Sequence, residues 1–281
     1  MKPVRVVDRQ IWRESGLSSG RRSIPEETAV ALTYDGGTYA VMMATPQDLQ
    51  DFAVGFSLNE GVINSAVDIE SFDIVPLDDG IELRMWLSKP KADRLQERRR
   101  HIAGPTGCGL CGIDSIAEAM RPAAIIEQGQ QFSSEQIMVA MQNLPMHQKL
   151  NIETRAVHAA AFWGFKSGIV ALREDVGRHN ALDKLSGALA RASVVACEGI
   201  ILLTSRVSVE MVQKSAVIGA VMVSVSAPTA LAVRMADAAG ITLAAIARAD
   251  GFEVFTHPYR ISSGGVAMSP IGEGSTHGTQ F

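Results

Sequence analysis

Two cysteines, Cys108 and Cys111, stand close together in Thr106-Gly107-Cys108-Gly109-Leu110-Cys111-Gly112. Three chemistries are open to a Cys-x-x-Cys pair: a redox couple, half of a metal site, or a carrier that accepts sulfur and hands it on. All three use the thiolate, and an unperturbed thiol of pKa about 8.5 is only about 3% ionised at pH 7. Lowering that pKa by ~2 units takes about 2.7 kcal/mol and makes the thiolate the majority form. Cations stand upstream at Lys89, Lys91, Arg94 and Arg98-Arg99-Arg100-His101. They read either as a solvated helix face or as charges that stabilise thiolate and attract an acidic partner. The surrounding glycines permit positive φ and close backbone approach.

A zinc site is not expected. Structural zinc takes four N or S ligands, and the pair supplies two. The third cysteine, Cys197, lies in an apolar stretch and is expected to pack in the core. His158-Ala159-Ala160 invites comparison with zinc deaminases, which use His-x-Glu and a later Pro-Cys-x-x-Cys. Here Ala160 occupies the glutamate position and Pro228 is followed by Thr229. A thioredoxin-type pair opens a helix after a strand, whereas this one follows a basic segment and Gly104-Pro105. A loop between two domains suits transfer between partners, although the residues alone leave the redox reading open.

Phosphate chemistry is suggested further on. Thr204, Ser205 and Arg206 follow one expected strand and precede a helix, and Ser226, Ala227, Pro228 and Thr229 do the same after the next. Ligands of open α/β sheets bind beyond the carboxyl ends of strands, where helix amino-termini favour anions. Each hydroxyl also reads as a plain helix cap. No Gly-x-Gly-x-x-Gly follows an expected strand and no Walker lysine is present, so neither an ordinary dinucleotide loop nor an ATP loop is read. Glu174-Asp175-Val176-Gly177-Arg178-His179-Asn180 is a third polar junction, where Asp175, Arg178 and His179 could bind a ligand or relay protons.

The elements that must position these groups fall into two patterns. Residues 29–33 and 38–43 read as strands around Asp35-Gly36-Gly37, and 72–75 and 81–87 as strands around Asp78-Asp79-Gly80. Between them lies a helix with Thr45 as expected N-cap, Pro46 at its first position, Gly61 as its stop, and Leu49, Phe52, Ala53 and Phe56 on one face. This is a small α+β domain. The second half alternates: strand 168–173, a helix capped by Asn180, the buried strand 199–203, helix 207–218, strand 220–225, a helix from Pro228 to Gly240, and strand 241–247. That order predicts an α/β sheet with some parallel pairs. The expected organisation is a mobile segment 1–24, an α+β domain 25–125 ending in the cysteine loop, an α/β domain 126–261 and a mobile tail 262–281.

The 281 residues are 47% hydrophobic and 20% charged, as in ordinary soluble domains. The net charge of −4 gives no bulk argument for nucleic-acid binding. No signal peptide is read at the start, the uncharged run 216–233 reads as strand into helix and not as a membrane span, and three cysteines suit a reducing cytoplasm.

The motifs at 106–112, 174–185, 204–220 and 224–232, with Thr256-His257-Pro258 and the run from Glu26-Glu27-Thr28 through Thr45-Pro46 to Glu60-Gly61, resemble the formate dehydrogenase accessory sulfurtransferase family. The resemblance covers about 24–261. It implies a cytoplasmic homodimer whose carboxy-terminal domain is cytidine-deaminase-like without the zinc chemistry. It implies sulfur taken from a cysteine desulfurase as a persulfide on Cys108, with Cys111 assisting. That sulfur would pass to the molybdenum bis(guanine dinucleotide) cofactor, held as a substrate before it enters formate dehydrogenase. Cofactor contacts are then expected from Thr204, Ser205, Arg206, Ser226, Pro228 and Thr229, and from Ile246, Ala247, Arg248, Ala249, Asp250 and Gly251. This last segment has alanine where the family pattern has glycine after the arginine.

Overall fold

The computed structural model describes residues 1–93, 95, 120–127, 129–219 and 221–263. Cys108, Cys111 and most of the basic run before them lie outside the described residues, as does nearly all of the expected tail.

The amino-terminal residues, read from sequence as a segment without regular structure of its own, contain two paired strands. β1 (Val4–Arg13) and β2 (Gly16–Pro25) form an antiparallel ribbon paired from Val4↔Pro25 to Arg13↔Gly16. Its strands carry serines and arginines where a half-buried strand carries apolar residues, which hid the period-2 pattern.

β3 (Thr28–Tyr34), β4 (Gly37–Ala44), β5 (Ile69–Leu77) and β6 (Gly80–Leu87) make a four-stranded sheet in the order β4-β3-β6-β5. Both hairpins form at the expected turns. β3 and β6 pair in parallel, and the crossover between them contains α1 (Leu49–Asn59). The inner face of the sheet (Val30, Leu32, Tyr34, Ile81, Leu83 and Met85) packs on Phe52 and Phe56 of α1. Gly61, at φ +67, ends the helix as expected, its N–H donating to Leu58 O. Thr45, however, is no N-cap: Asp48 holds that position.

The second sheet has six strands in the order β13-β12-β11-β10-β8-β9. These are β8 (His158–Gly164), β9 (Gly168–Asp175), β10 (Gly199–Leu203), β11 (Val221–Ser224), β12 (Leu243–Arg248) and β13 (Gly251–Val254). β10, β11 and β12 run parallel, while β8 is antiparallel to β10 and β9. Its strands alternate between two cores, as a sheet covered on both faces requires. Phe162, Ile201, Leu203, Met222 and Leu243 face one helical layer: α4 (Arg178–Arg191), α5 (Val209–Ile218) and α6 (Ala230–Ala238). Trp163, Ile200, Leu202, Val221 and Val223 face α2 (Ser134–His147). A short helix, α3 (Lys149–Thr154), follows α2, and a two-stranded pairing of β7 (Phe132–Ser133) with β14 (Ile261–Ser262) joins the ends of this region.

The two sheets are joined by α1 and α4. A Cβ on Gly55 would stand 1.7 Å from Asp183 O, and one on Gly187 would stand 1.9 Å from Asp51 O. Two facing glycines therefore let the helix backbones touch. Asp51, buried at this crossing, is held by Arg173 at 2.6 Å and Arg191 at 2.5 Å. α1 is consequently buried on nearly every side, beyond the single apolar face its spacing suggests.

Candidate functional site

Topology gathers the candidate residues at one end of the six-stranded sheet. The carboxyl ends of β9, β10, β11 and β12 and the amino end of antiparallel β8 all lie there.

Three of the expected segments meet directly. The turns after β10 and β11 are joined by a parallel bridge between Val207 and Pro228. Thr229 N donates to Val207 O at 3.0 Å and Val207 N to Ala227 O at 3.4 Å. The third segment joins through Ile246 N, which donates to Ser226 O at 3.4 Å. The Arg248 guanidinium donates to Val225 O and Ala247 O. Ile246 sits at φ +53, beside a register shift between β12 and β13. A left-handed conformation costs a β-branched residue on the order of 1–3 kcal/mol, and such residues cluster at functional sites. Ala249, Asp250 and Gly251 then make the exposed turn into β13.

The hydroxyl groups of Thr204, Ser205 and Thr229 bond within the protein, and Thr229 has the helix-cap role that each hydroxyl also offered. Thr204 Oγ1 accepts from Ala159 N at 2.8 Å, tying the turn to β8. Ser205 is buried and donates to Arg206 O at 3.2 Å. Ser224 Oγ donates to Ser205 O at 2.6 Å and accepts from Ser226 N at 3.1 Å. Thr229 caps α6 by accepting from Ala232 N at 3.2 Å. Thr204, Ser205 and Thr229 thus shape the turns, and the exposed side chains of Arg206 and Arg248 supply positive charge at the rim.

The junction at 174–180 divides into two roles. Glu174 accepts from Leu150 N and Asn151 N, both at 2.8 Å, at the start of α3. Burial nevertheless pushes its carboxyl above the usual range. Asp175 is fully buried and accepts from Lys184 Nζ, Thr45 N, Gly177 N and Asn180 Nδ2. Thr45 and Asn180, read from sequence as caps, serve this buried carboxylate: Thr45 Oγ1 also accepts from Val176 N, and Asn180 Nδ2 donates to Met43 O. Gly177 is the N-cap of α4.

Arg178 and His179 have the other role. With His158 at the start of β8, and Ser208 and Glu210 at the start of α5, they form a polar cluster next to the Thr204 turn. His179 Nε2 lies 2.8 Å from Glu210 Oε2, and this contact holds the Glu210 carboxyl below its usual range. Burial, then the neighbouring Arg178 and His179, push the His158 imidazole below the ordinary histidine value. Arg178 Nε and Ser208 Oγ are buried without a hydrogen-bond partner among the described residues. Ser208 and Glu210 were missed by sequence reasoning. Their place in the first turn of the helix after the Thr204 strand end is the signal that points to them.

Cys197, expected in the core, is exposed on a short 3-10 turn before β10. Val194 and Ala196 pack against the core, while Val195 and Cys197 stay exposed. Among the described residues, no group of three or more His, Cys, Asp or Glu side chains could hold a metal ion. No helix among them is long and apolar enough to cross a membrane.

These features define an α/β protein with exposed arginines, Arg206 and Arg248, at the carboxyl ends of its parallel strands. The chain belongs to the FdhD/NarQ family, whose model matches residues 25–262. It is 50% identical over 259 residues to the sulfur carrier protein FdhD of Agrobacterium fabrum, covering 92% of this chain and 96% of that protein. It is 51% identical over 251 residues to the protein of the same name from Brucella abortus, covering 89% and 93%. The fold matches, with a TM-score of 0.74 and 23% identity, the crystal structure described as that of a formate dehydrogenase accessory protein from Desulfotalea psychrophila, over 92% of this chain and 99% of that one.

Proposed function

We propose that this protein is a cytoplasmic, homodimeric sulfur carrier in the maturation of formate dehydrogenase. Its cargo site is the sheet end and its sulfur site is Cys108. The observation that carries the reading is the meeting of residues 204–206, 226–229 and 246–248, which sets Arg206 and Arg248 at the rim of a helix-flanked sheet end. Guanidinium groups and helix amino-termini suit the phosphates of a nucleotide-bearing ligand. The relatives' name, sulfur carrier protein, and the Cys108–Cys111 pair supply the rest.

In this reading the Cys108 thiolate attacks the outer sulfur of a cysteine desulfurase persulfide. A new S–S bond forms and the desulfurase thiolate leaves, as in thiol–disulfide exchange. Cys111 assists. The Cys111 thiolate attacks the inner sulfur of the Cys108 persulfide, and a Cys108–Cys111 disulfide forms. The outer sulfur leaves at the sulfide level for the molybdenum of the bis(guanine dinucleotide) cofactor, the substrate held by residues 204–206, 226–229 and 246–251. A cellular dithiol then reduces the disulfide. Replacing Cys108 with Ala leaves folding and cofactor binding intact while formate dehydrogenase stays inactive. Full dehydrogenase activity with that variant would remove the carrier function.

A further inference from the structure

No step of the proposed function uses the cluster of His158, Arg178, His179, Ser208 and Glu210. Its members on α4 and α5 stand in the first turns of two helices that face each other, as the 2.8 Å approach of His179 Nε2 to Glu210 Oε2 shows. Ser208 holds the N-cap position of α5, where a serine oxygen ordinarily accepts from the helix N–H groups. Its side chain makes no cap bond here. That hydroxyl and Arg178 Nε are shut off from solvent, with no hydrogen-bond partner among the described residues. A buried donor left unpaired costs about 1–3 kcal/mol, so the two mark a place built to donate to a ligand. Burial, then the charges of Arg178 and His179, disfavour a proton on His158. Two carboxylates stand near, and both are taken: Glu210 by His179, and Asp175 by Lys184.

The cluster has the cargo turns on one side. Ser208 follows closely on Arg206, and Thr204 N donates to Ala159 O at 3.1 Å, next to His158. On the other side, one turn further along both helices, Asp183 of α4 accepts from Lys214 of α5 at 2.7 Å and from Asn59 Nδ2 of α1 at 2.6 Å. Arg121 reaches this second place soon after the segment that carries Cys108 and Cys111. It donates to Asn59 O at 3.2 Å, and Gln213 Nε2 donates to its carbonyl at 2.7 Å. From Glu210 to Gln213 the rise along the helix is about 4.5 Å. The chain that leaves the cysteines therefore meets α5 about one turn from the cluster.

We infer that this cluster is a hydrosulfide site, which holds the sulfur between its release from Cys108 and its delivery to the cargo. This rests on the sulfur-carrier reading. When the Cys111 thiolate attacks the inner sulfur of the Cys108 persulfide, the Cys108–Cys111 S–S bond forms and the bond to the outer sulfur breaks. The outer sulfur leaves as hydrosulfide, with the bonding electron pair and its own proton, and a cellular dithiol later reduces the disulfide. Hydrosulfide released to water is lost to the acceptor, so a place that retains it raises the yield of transfer. A monovalent anion one heavy atom in size suits donors that solvent does not reach. The Ser208 hydroxyl, the Arg178 guanidinium and the His158 ring supply them. Glu210 holds His179, which keeps its carboxylate off the anion. A phosphate group has more oxygens to satisfy and more bulk to admit than these enclosed donors allow.

Titration calorimetry on the reduced full chain tests this with sodium hydrosulfide as the probe, and with inorganic phosphate and guanosine diphosphate titrated alongside. Ser208→Ala and Arg178→Gln are the variants. The Ser208 side chain makes no cap bond and Arg178 Nε no hydrogen bond, so both are expected to fold, which circular dichroism checks. The wild type should bind hydrosulfide, and each variant should bind it about tenfold or more weakly. Guanosine diphosphate affinity should not change, nor should the sulfur gained on Cys108 from a desulfurase. A wild type that binds no hydrosulfide overturns the site. Phosphate bound more tightly than hydrosulfide, and lost in the same variants, overturns it in favour of an oxoanion site. Weakened nucleotide binding in both variants overturns it by assigning the cluster to the cargo. The carrier reading fails separately, when the wild type gains no sulfur on Cys108.

Discussion

Lys184 Nζ lies 2.6 Å from Asp175 Oδ2, and neither side chain is exposed to solvent. Burial pulls the Lys184 pKa down and Asp175 opposes that pull. The ammonium also donates to Thr45 O at 2.9 Å. The pair therefore fastens the end of β9, the start of α4 and the chain leaving β4 at one point. Replacing Lys184 with Met strands a buried carboxylate, for which about 3–5 kcal/mol of lost stability is expected. Urea unfolding at neutral pH measures it, and a change below about 1 kcal/mol would show that the pair is not the fastening.

The α1–α4 crossing makes an independent prediction. Gly55→Ala places a methyl group 1.7 Å from Asp183 O, which is backbone and cannot swing aside. The helices must separate, loosening the Asp51 bridges to Arg173 and Arg191. A loss on the order of 3 kcal/mol is expected, at the upper end of overpacking penalties. Gly187→Ala should behave alike, and the double variant should cost less than the two losses added, because one separation relieves both clashes.

The depressed His158 pKa sets a pH dependence. The folded state refuses a proton that the unfolded chain takes up below the ordinary histidine value. The unfolded state therefore binds more protons there, and stability falls as pH falls from about 6.5. This contribution is fully present above the ordinary histidine value. The loss ends once pH has passed below the depressed folded value. In His158→Gln, the slope of unfolding free energy against pH should flatten across that window; an unchanged slope would place the dependence elsewhere.

Arg206 and Arg248 should matter for ligand and little for folding. Charge-assisted hydrogen bonds contribute about 1.5–3 kcal/mol, so Arg206→Ala and Arg248→Ala should each weaken binding of a guanine nucleotide by roughly tenfold or more. Calorimetry on the full chain checks this, with the unfolding midpoint unchanged for Arg206→Ala and slightly lowered for Arg248→Ala, which also loses its bonds to Val225 O and Ala247 O. Equal affinity in both variants would move the anion site away from this rim.

Much of the fold was legible because its signals are local. Asp35-Gly36-Gly37 and Asp78-Asp79-Gly80 mark tight turns between alternating strands, and the apolar run of β10 needs no partner to be read as buried. The strand ends that carry Thr204 and Ser226 followed from the same pattern. What escaped depends on distant partners. Thr45 reads as a local cap, yet its partners are Asp175, Val176 and Lys184, more than 120 residues away. Asp175 looks like a candidate ligand until the lysine nine positions on is seen to neutralise it. Glycines 55 and 187 reveal their purpose only once the two helices cross. The ribbon escaped because exposed strands need not alternate in hydrophobicity.

The central claim is that Cys108 carries sulfur. Intact-protein mass spectrometry after incubation with a cysteine desulfurase and cysteine tests it most directly. The wild type should gain the mass of one sulfur atom, lose it to dithiothreitol, and fail to gain it as Cys108→Ala. A wild type that gains no sulfur, or a Cys108→Ala protein that gains the same sulfur, would contradict the claim.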